Sequence, residues 1–119
     1  MDHQEKELVV YMRTTYCPYQ AKAERVFQRY GLKPRTIFID KDPQAEQRVI
    51  TWTGFKSVPT IIVARRGEDV PYEEPAPLAR GASPRGVDRG SMITEATETE
   101  LTRWLAKHGF ITEEKVGNR

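Results

Sequence analysis

Apolar and polar positions follow two different periods along the chain, which predict four strands and three helices. Apolar runs predict strands at 8–12, 36–39, 60–64 and 91–94. Apolar positions spaced i, i+3, i+4, i+7 predict a helix from Pro18 to about Tyr30 and another after Thr97. Asp42-Pro43 is typical of the start of a third helix, which ends at Gly54. The predicted order is therefore β-α-β-α-β-β-α.

This order indicates an α/β fold with a four-stranded mixed sheet flanked by three helices. The first βαβ unit should be a right-handed crossover that makes a parallel strand pair. The third and fourth strands should form a hairpin across a long connection. We expect a single domain over 1–119, with a flexible tail at 113–119.

The connection between the last two strands has a composition of its own. Residues 67–90 hold four of the eight glycines and four of the eight prolines, and no helix or strand period continues through them. A long irregular loop is predicted there, with 67–89 as an insertion in the last hairpin.

Composition narrows the range of partners. The 119 residues are 38% hydrophobic and 30% charged, with a formal net charge of +2. A core can form, and so small a charge does not suggest a nucleic acid or a membrane surface as partner. No apolar run approaches the roughly 20 residues of a spanning helix, and the N-terminal residues do not resemble a signal peptide. A cytoplasmic monomer is expected.

Cys17 is the only cysteine, so a disulfide scaffold or a multi-cysteine zinc site within one chain is excluded. His3 and His108 have no partner spacing, and no metal site is predicted. Cys17 lies between the first strand and the first helix, where the N–H groups of a helix N-terminus stabilise a thiolate. The alternative is a small buried apolar residue without chemistry.

Two motifs resemble the glutaredoxin family, which has the thioredoxin fold. Tyr16-Cys17-Pro18-Tyr19-Gln20 resembles the CPYC active site, with Gln20 where the second cysteine would stand. Ser57-Val58-Pro59-Thr60 resembles the TVP signature. Together with the element order, the resemblance covers roughly 7–65 and 91–110, and identifies a monothiol CPYQ variant.

The resemblance implies a catalytic Cys17 that faces a cis Pro59. It implies glutathione, or another low-molecular-weight thiol, as co-substrate, and no tightly bound cofactor. By analogy with the family, the expected glutathione contacts are Arg13, Tyr19, Lys56, Val58, Pro59 and Thr97. Since the third strand would start at the cysteine and run away from it, we expect the insertion to project from the far end of the sheet and to serve a partner contact or nothing catalytic.

The sequence also departs from the family pattern. Gln20 cannot resolve a mixed disulfide, which leaves a one-thiol route. The GG-[CS]-D signature is missing, and residues 89–97 look more like mycoredoxin-type and hydrogen-donor glutaredoxins. The identity of the small thiol therefore stays open.

Three functions follow from the resemblance. The first is an oxidoreductase that removes small-thiol adducts from proteins, whose partners are protein mixed disulfides and the small-molecule thiol. The second is an iron–sulfur cluster carrier, in which two copies of Cys17 and two glutathiones hold a cluster in a dimer. The third is a non-catalytic thioredoxin-fold binding module.

Overall fold

A computed structural model describes residues 6–111 of the protein. The elements are β1 (Lys6–Met12), α1 (Pro18–Arg29), β2 (Arg35–Phe38), α2 (Pro43–Thr53), β3 (Thr60–Arg65), β4 (Met92–Thr94) and α3 (Glu98–Lys107). The sheet order is β2-β1-β3-β4, with β1 parallel to β2 and the other two pairs antiparallel. The predicted fold class and element order are confirmed. The tail at 113–119 and His3 lie outside the described residues.

The predicted helix starts are built from the side chains that the sequence indicated. The Asp42 carboxylate accepts hydrogen bonds from the N–H groups of Gln44 and Ala45 at the start of α2. Thr97 and Glu100 form a reciprocal capping box at the start of α3. These bonds satisfy N–H groups that a helix leaves without an intrahelical partner, and so define where each helix begins.

The sheet has a hydrophobic core on each face. Along β1, Val10 and Met12 face the core covered by α1 and α3, while Val9 and Tyr11 face the core covered by α2. Successive strand residues point to opposite faces, so a strand buried on both faces must be apolar throughout. Within the described residues, no helix has the length and hydropathy needed to cross a membrane.

The sequence predicts that the insertion projects from the far end of the sheet, away from Cys17. This prediction is wrong, because part of the insertion lies at the cysteine end. The insertion leaves β3 at the far end, where the Gly67 N–H donates to Glu7. It then returns along β4, and Arg85 pairs with Thr94 in an isolated β-bridge. Because an extended residue spans about 3.3 Å and β4 has only three residues, the insertion is long enough to run back past the whole strand.

Arg89 holds the returning part of the insertion against the body of the fold. Its side chain is buried, and its guanidinium donates to the carbonyls of Trp52 at 2.6 Å and Ala76 at 2.7 Å. Trp52 lies in the last turn of α2, where a cation is favoured by the helix dipole. Burial lowers the pKa of Arg89. One side chain thus joins the insertion to the C-terminus of α2.

We expect Arg89→Ala to lower the free energy of unfolding by about 2 kcal/mol, because two carbonyls lose the charged donor of a buried side chain. Urea unfolding measures the change. Arg80→Ala is the matched control, since Arg80 is an exposed arginine of the same insertion and its loss should cost less than about 0.5 kcal/mol. Equal effects of the two variants would contradict the anchoring role of Arg89.

His108 packs at the end of α3, with its ring centroid 4.7 Å from that of Trp104. Its Nε2 lies 2.7 Å from the Gly90 carbonyl, which also accepts from the indole N–H of Trp104 at 2.8 Å. Burial lowers the pKa of His108, and Lys107 and Lys6 act in the same direction, whereas Gly90 and Asp88 oppose them. The folded state therefore favours the neutral imidazole.

A lowered pKa means that the stabilisation is complete above the unfolded pKa of about 6.5 and is lost as the pH falls. We expect the free energy of unfolding to decrease between about pH 7.5 and about pH 5.5, and to decrease less in His108→Gln. Urea unfolding at both pH values tests this. A variant with the same pH dependence as the wild type would contradict it.

Candidate active site

Cys17 is the N-cap residue of α1, as the position of the motif predicted. Its backbone is extended (φ −147°, ψ 126°), and Pro18 begins the helix. The next two residues, Tyr19 and Gln20, supply N–H groups that helix geometry leaves without an intrahelical partner. The first turn of α1 contains no acidic side chain. A thiolate at Cys17 would therefore meet backbone donors without a competing carboxylate in that turn.

The half-buried thiol faces the turn that precedes β3. The Val58–Pro59 peptide bond is cis, the isomer implied by the resemblance. The Cys17 Sγ lies 3.7 Å from the Val58 carbonyl oxygen, a weak S–H···O contact. The Pro59 carbonyl accepts from the Glu95 N–H at 2.9 Å. These contacts join α1, the turn before β3 and the start of the α3 region around one sulfur atom.

Gln20 occupies the position of the second cysteine of the CPYC motif, and its side-chain amide has a structural role. It is 7% exposed, and its side chain makes two hydrogen bonds to the backbone of Arg13. The Gln20 Oε1 accepts from the Arg13 N–H at 2.7 Å, and Nε2 donates to the Arg13 carbonyl at 3.1 Å. Gln20, which stands where a resolving cysteine would be, thus holds the segment between β1 and Cys17 in place.

Two further contacts hold the same segment. The Thr14 N–H and hydroxyl both donate to the Asp40 carboxylate, and these bonds lower the pKa of Asp40. The Arg13 guanidinium donates to the Lys56 carbonyl at 2.9 Å. Lys56 itself lies 3.6 Å from the Glu46 carboxylate. Arg13 and Lys56 therefore meet at the site, although one contributes its side chain and the other its backbone.

Two cavities open beside the cysteine motif and the proline turn. The thiol cavity, about 340 Å³, is lined by 12–17, Gln20, Ala21, Glu24 and Phe38. The proline-side cavity, about 370 Å³, is lined by 55–57, 81–85 and Glu95. Tyr16 and Phe55 expose their rings to solvent nearby, at 82% and 61%. An extended ligand that reached Cys17 from the proline side would meet aromatic and cationic groups.

The structure brings most of the predicted site residues together, and it shows Thr97 as the cap of α3. Its hydroxyl and its N–H are both held by Glu100, and it lines neither cavity. Tyr19 is half-buried, with Lys22 and Arg85 cations 4.9 and 5.1 Å from its ring centroid. Arg85 and Glu95 are site residues that the sequence did not indicate, because no local pattern shows that an irregular loop returns to this end.

We expect Gln20→Met to lower the free energy of unfolding by about 1–3 kcal/mol, because it leaves the polar backbone groups of Arg13 without partners at similar side-chain volume. Urea unfolding measures the change. Gln28→Met is the matched control on the exposed face of the same helix and should be nearly neutral. A Gln20→Met protein as stable as the control would show that the two bonds contribute nothing.

Comparison with known proteins gives the same assignment for the segment that carries both motifs. The glutaredoxin family model matches residues 8–68, about half of the chain. Glutaredoxin-C2 of Arabidopsis thaliana is 30% identical over 60 residues, which cover 48% of this chain and 54% of that protein. The chain thus spans about half the length of this curated relative.

A solved glutaredoxin from Archaeoglobus fulgidus aligns with a TM-score of 0.41 and 25% identity, over 60% of this chain and 83% of that one. The family match runs from within β1 to the end of β3, with Cys17 and Pro59, and stops within the first two residues of the insertion. The chain belongs to the glutaredoxin family.

Proposed function

We propose that the protein is a thiol–disulfide oxidoreductase that removes small-thiol adducts from proteins by a one-thiol mechanism. Family membership supports the general activity. One observation carries the finer mechanism: the only cysteine lies at the N-terminus of α1, 3.7 Å from the Val58 carbonyl, and a buried Gln20 stands in place of a resolving thiol.

The first step is a displacement at sulfur. The Cys17 thiolate attacks the glutathione sulfur of a protein–glutathione mixed disulfide. A new bond forms between Cys17 and glutathione, the old S–S bond breaks, and the substrate protein leaves as a thiolate that takes a proton from water. The N–H groups at the start of α1 stabilise the attacking anion.

The second step needs a thiol from outside the chain. Because the sequence has no other cysteine, a free glutathione thiolate attacks the glutathione sulfur held on Cys17. Cys17 leaves as a thiolate, and oxidised glutathione is released. Over both steps the sulfur of one free glutathione is oxidised as it joins the adduct's glutathione in a disulfide, and the protein sulfur of the mixed disulfide is reduced to a thiol.

The site offers groups for the adduct on both sides of the sulfur. In this proposal the backbone N–H and carbonyl of Val58 pair with the adduct's peptide part, as in strand addition, and the cis Pro59 forms the turn that presents them. Arg13, Lys56 and Tyr19 lie around it as cationic and aromatic contacts. We assign no ligand contact to Thr97, because Glu100 holds both of its polar groups. The monomeric state and the cytoplasmic location stay predictions.

We expect wild-type protein, mixed with a glutathionylated peptide and no free glutathione, to release at most one peptide thiol per chain and to retain glutathione on Cys17. Intact mass measures the adduct, and thiol release measures the stoichiometry. Added glutathione should start continuous turnover, because it supplies the resolving thiol. Cys17→Ser should show neither the adduct nor turnover.

Other outcomes separate the alternatives. Turnover without free glutathione would contradict the one-thiol mechanism. No thiol release, together with cluster absorbance after anaerobic reconstitution of a dimer, would favour the iron–sulfur carrier. No thiol release and no cluster would favour the binding module.

A further inference from the structure

One side of the proline-side cavity is made by the insertion. Lys56 and Ser57 lie on one side, and 81–85 of the insertion lie on the other, with Glu95. Glu95 is joined to the turn by its N–H, which donates to the Pro59 carbonyl, the residue beside the one that Cys17 contacts. This cavity therefore borders the proline turn whose Val58 carbonyl contacts the thiol, and part of its lining comes from outside the matched segment 8–68.

Arg85 is held in place on the insertion side of this cavity. Its backbone pairs with Thr94 in the β-bridge, and the next residue, Gly86, donates its N–H to the Thr94 carbonyl at 2.7 Å. Its guanidinium carbon lies 5.1 Å from the centre of the Tyr19 ring, two residues after Cys17. The side chain is still 57% exposed. A fixed and accessible guanidinium is a good receptor for a carboxylate.

The charges of the cavity favour an anion. Lys56 and Arg85 contribute two cations to the lining, and Glu95 is the one carboxylate among the described lining residues. The Arg85 Nε lies 3.3 Å from Glu95 Oε1. The Glu95 side chain is half-buried, but the Arg85 side of the pair is open to solvent, so donors of the guanidinium that Glu95 does not use remain accessible to an incoming carboxylate.

We propose that Arg85 determines the specificity of the site by binding a carboxylate of the thiol adduct, and that the protein therefore prefers an acidic thiol of the glutathione class to a thiol without a carboxylate. This inference rests on the proposed function, since it concerns the adduct that Cys17 attacks. The insertion then supplies the residue that selects the adduct, and Glu95 holds Arg85 in position when no adduct is bound.

The test compares two adducts of one peptide, the mixed disulfide with glutathione and the mixed disulfide with 2-mercaptoethanol, which has no carboxylate. The measurement is the half-saturating concentration for peptide-thiol release in a single turnover. Arg85→Gln should raise this concentration roughly 10- to 100-fold for the glutathione adduct and less than about twofold for the neutral adduct. Arg85→Lys should lie between these values for the glutathione adduct, since it keeps the charge but loses the planar donors.

Two further variants make the test specific. Glu95→Gln should lower the half-saturating concentration of the glutathione adduct, because a competing carboxylate is removed. Arg80→Gln, in the same insertion but outside the cavity lining, should change neither adduct. Equal effects of Arg85→Gln on both adducts, or no effect, would overturn the assignment, because a merely structural role does not distinguish the two.

Failure of the proposed function has a separate signature. If wild-type protein releases thiol from neither adduct, the oxidoreductase proposal fails. Binding of S-methylglutathione to Cys17→Ser, followed by NMR chemical shifts, then decides the role of Arg85. Binding that Arg85→Gln weakens about 10-fold or more supports the assignment, and absent or unaffected binding overturns it.

Discussion

The antiparallel register between β1 and β3 is the constraint on which the candidate site depends. Tyr11 pairs with Thr60, so the end of β1 lies beside the beginning of β3, at the same end of the two central strands. The chain leaves β1 through the segment that leads to Cys17, and it enters β3 through Val58 and Pro59. The distance of 3.7 Å between Cys17 Sγ and the Val58 carbonyl follows from that register. A shift of one residue would turn every side chain of β3 to the opposite face and separate the two motifs.

Glutamine in place of cysteine at position 20 removes a resolving thiol but adds two hydrogen bonds that hold the segment between β1 and α1. A cysteine at position 20 would supply a resolving thiol, whereas Gln20 supplies a donor and an acceptor to one backbone residue, Arg13. Since Gln20 is buried, these bonds replace interactions with water that the backbone loses on folding. A chain that relies on an external thiol can keep this position for structure.

The insertion changes how the site is bounded. Arg89 joins it to the C-terminus of α2, and the bridge between Arg85 and Thr94 joins it to β4. Between these two attachments, the loop lies where it can contact whatever binds beside Pro59. Irregular segments held by a rigid scaffold commonly carry specificity, because they vary in sequence without disturbing the core. In our proposals, residues at the ends of the strands carry out the sulfur chemistry, and the insertion determines the choice of adduct.

Local patterns in the sequence determined the order of the elements, the caps at Asp42 and Thr97, and the position of Cys17 before α1. Each of these depends on residues close together in the chain, through periodicity, turn geometry or a hydrogen bond within one helical turn. The tertiary structure alone decided that Gln20 holds Arg13 and that Arg85 returns to Tyr19. The last contact joins residues far apart in sequence across a loop without a regular period, where many backbone paths satisfy the same composition. Only packing against β4 and α2 selects one of them.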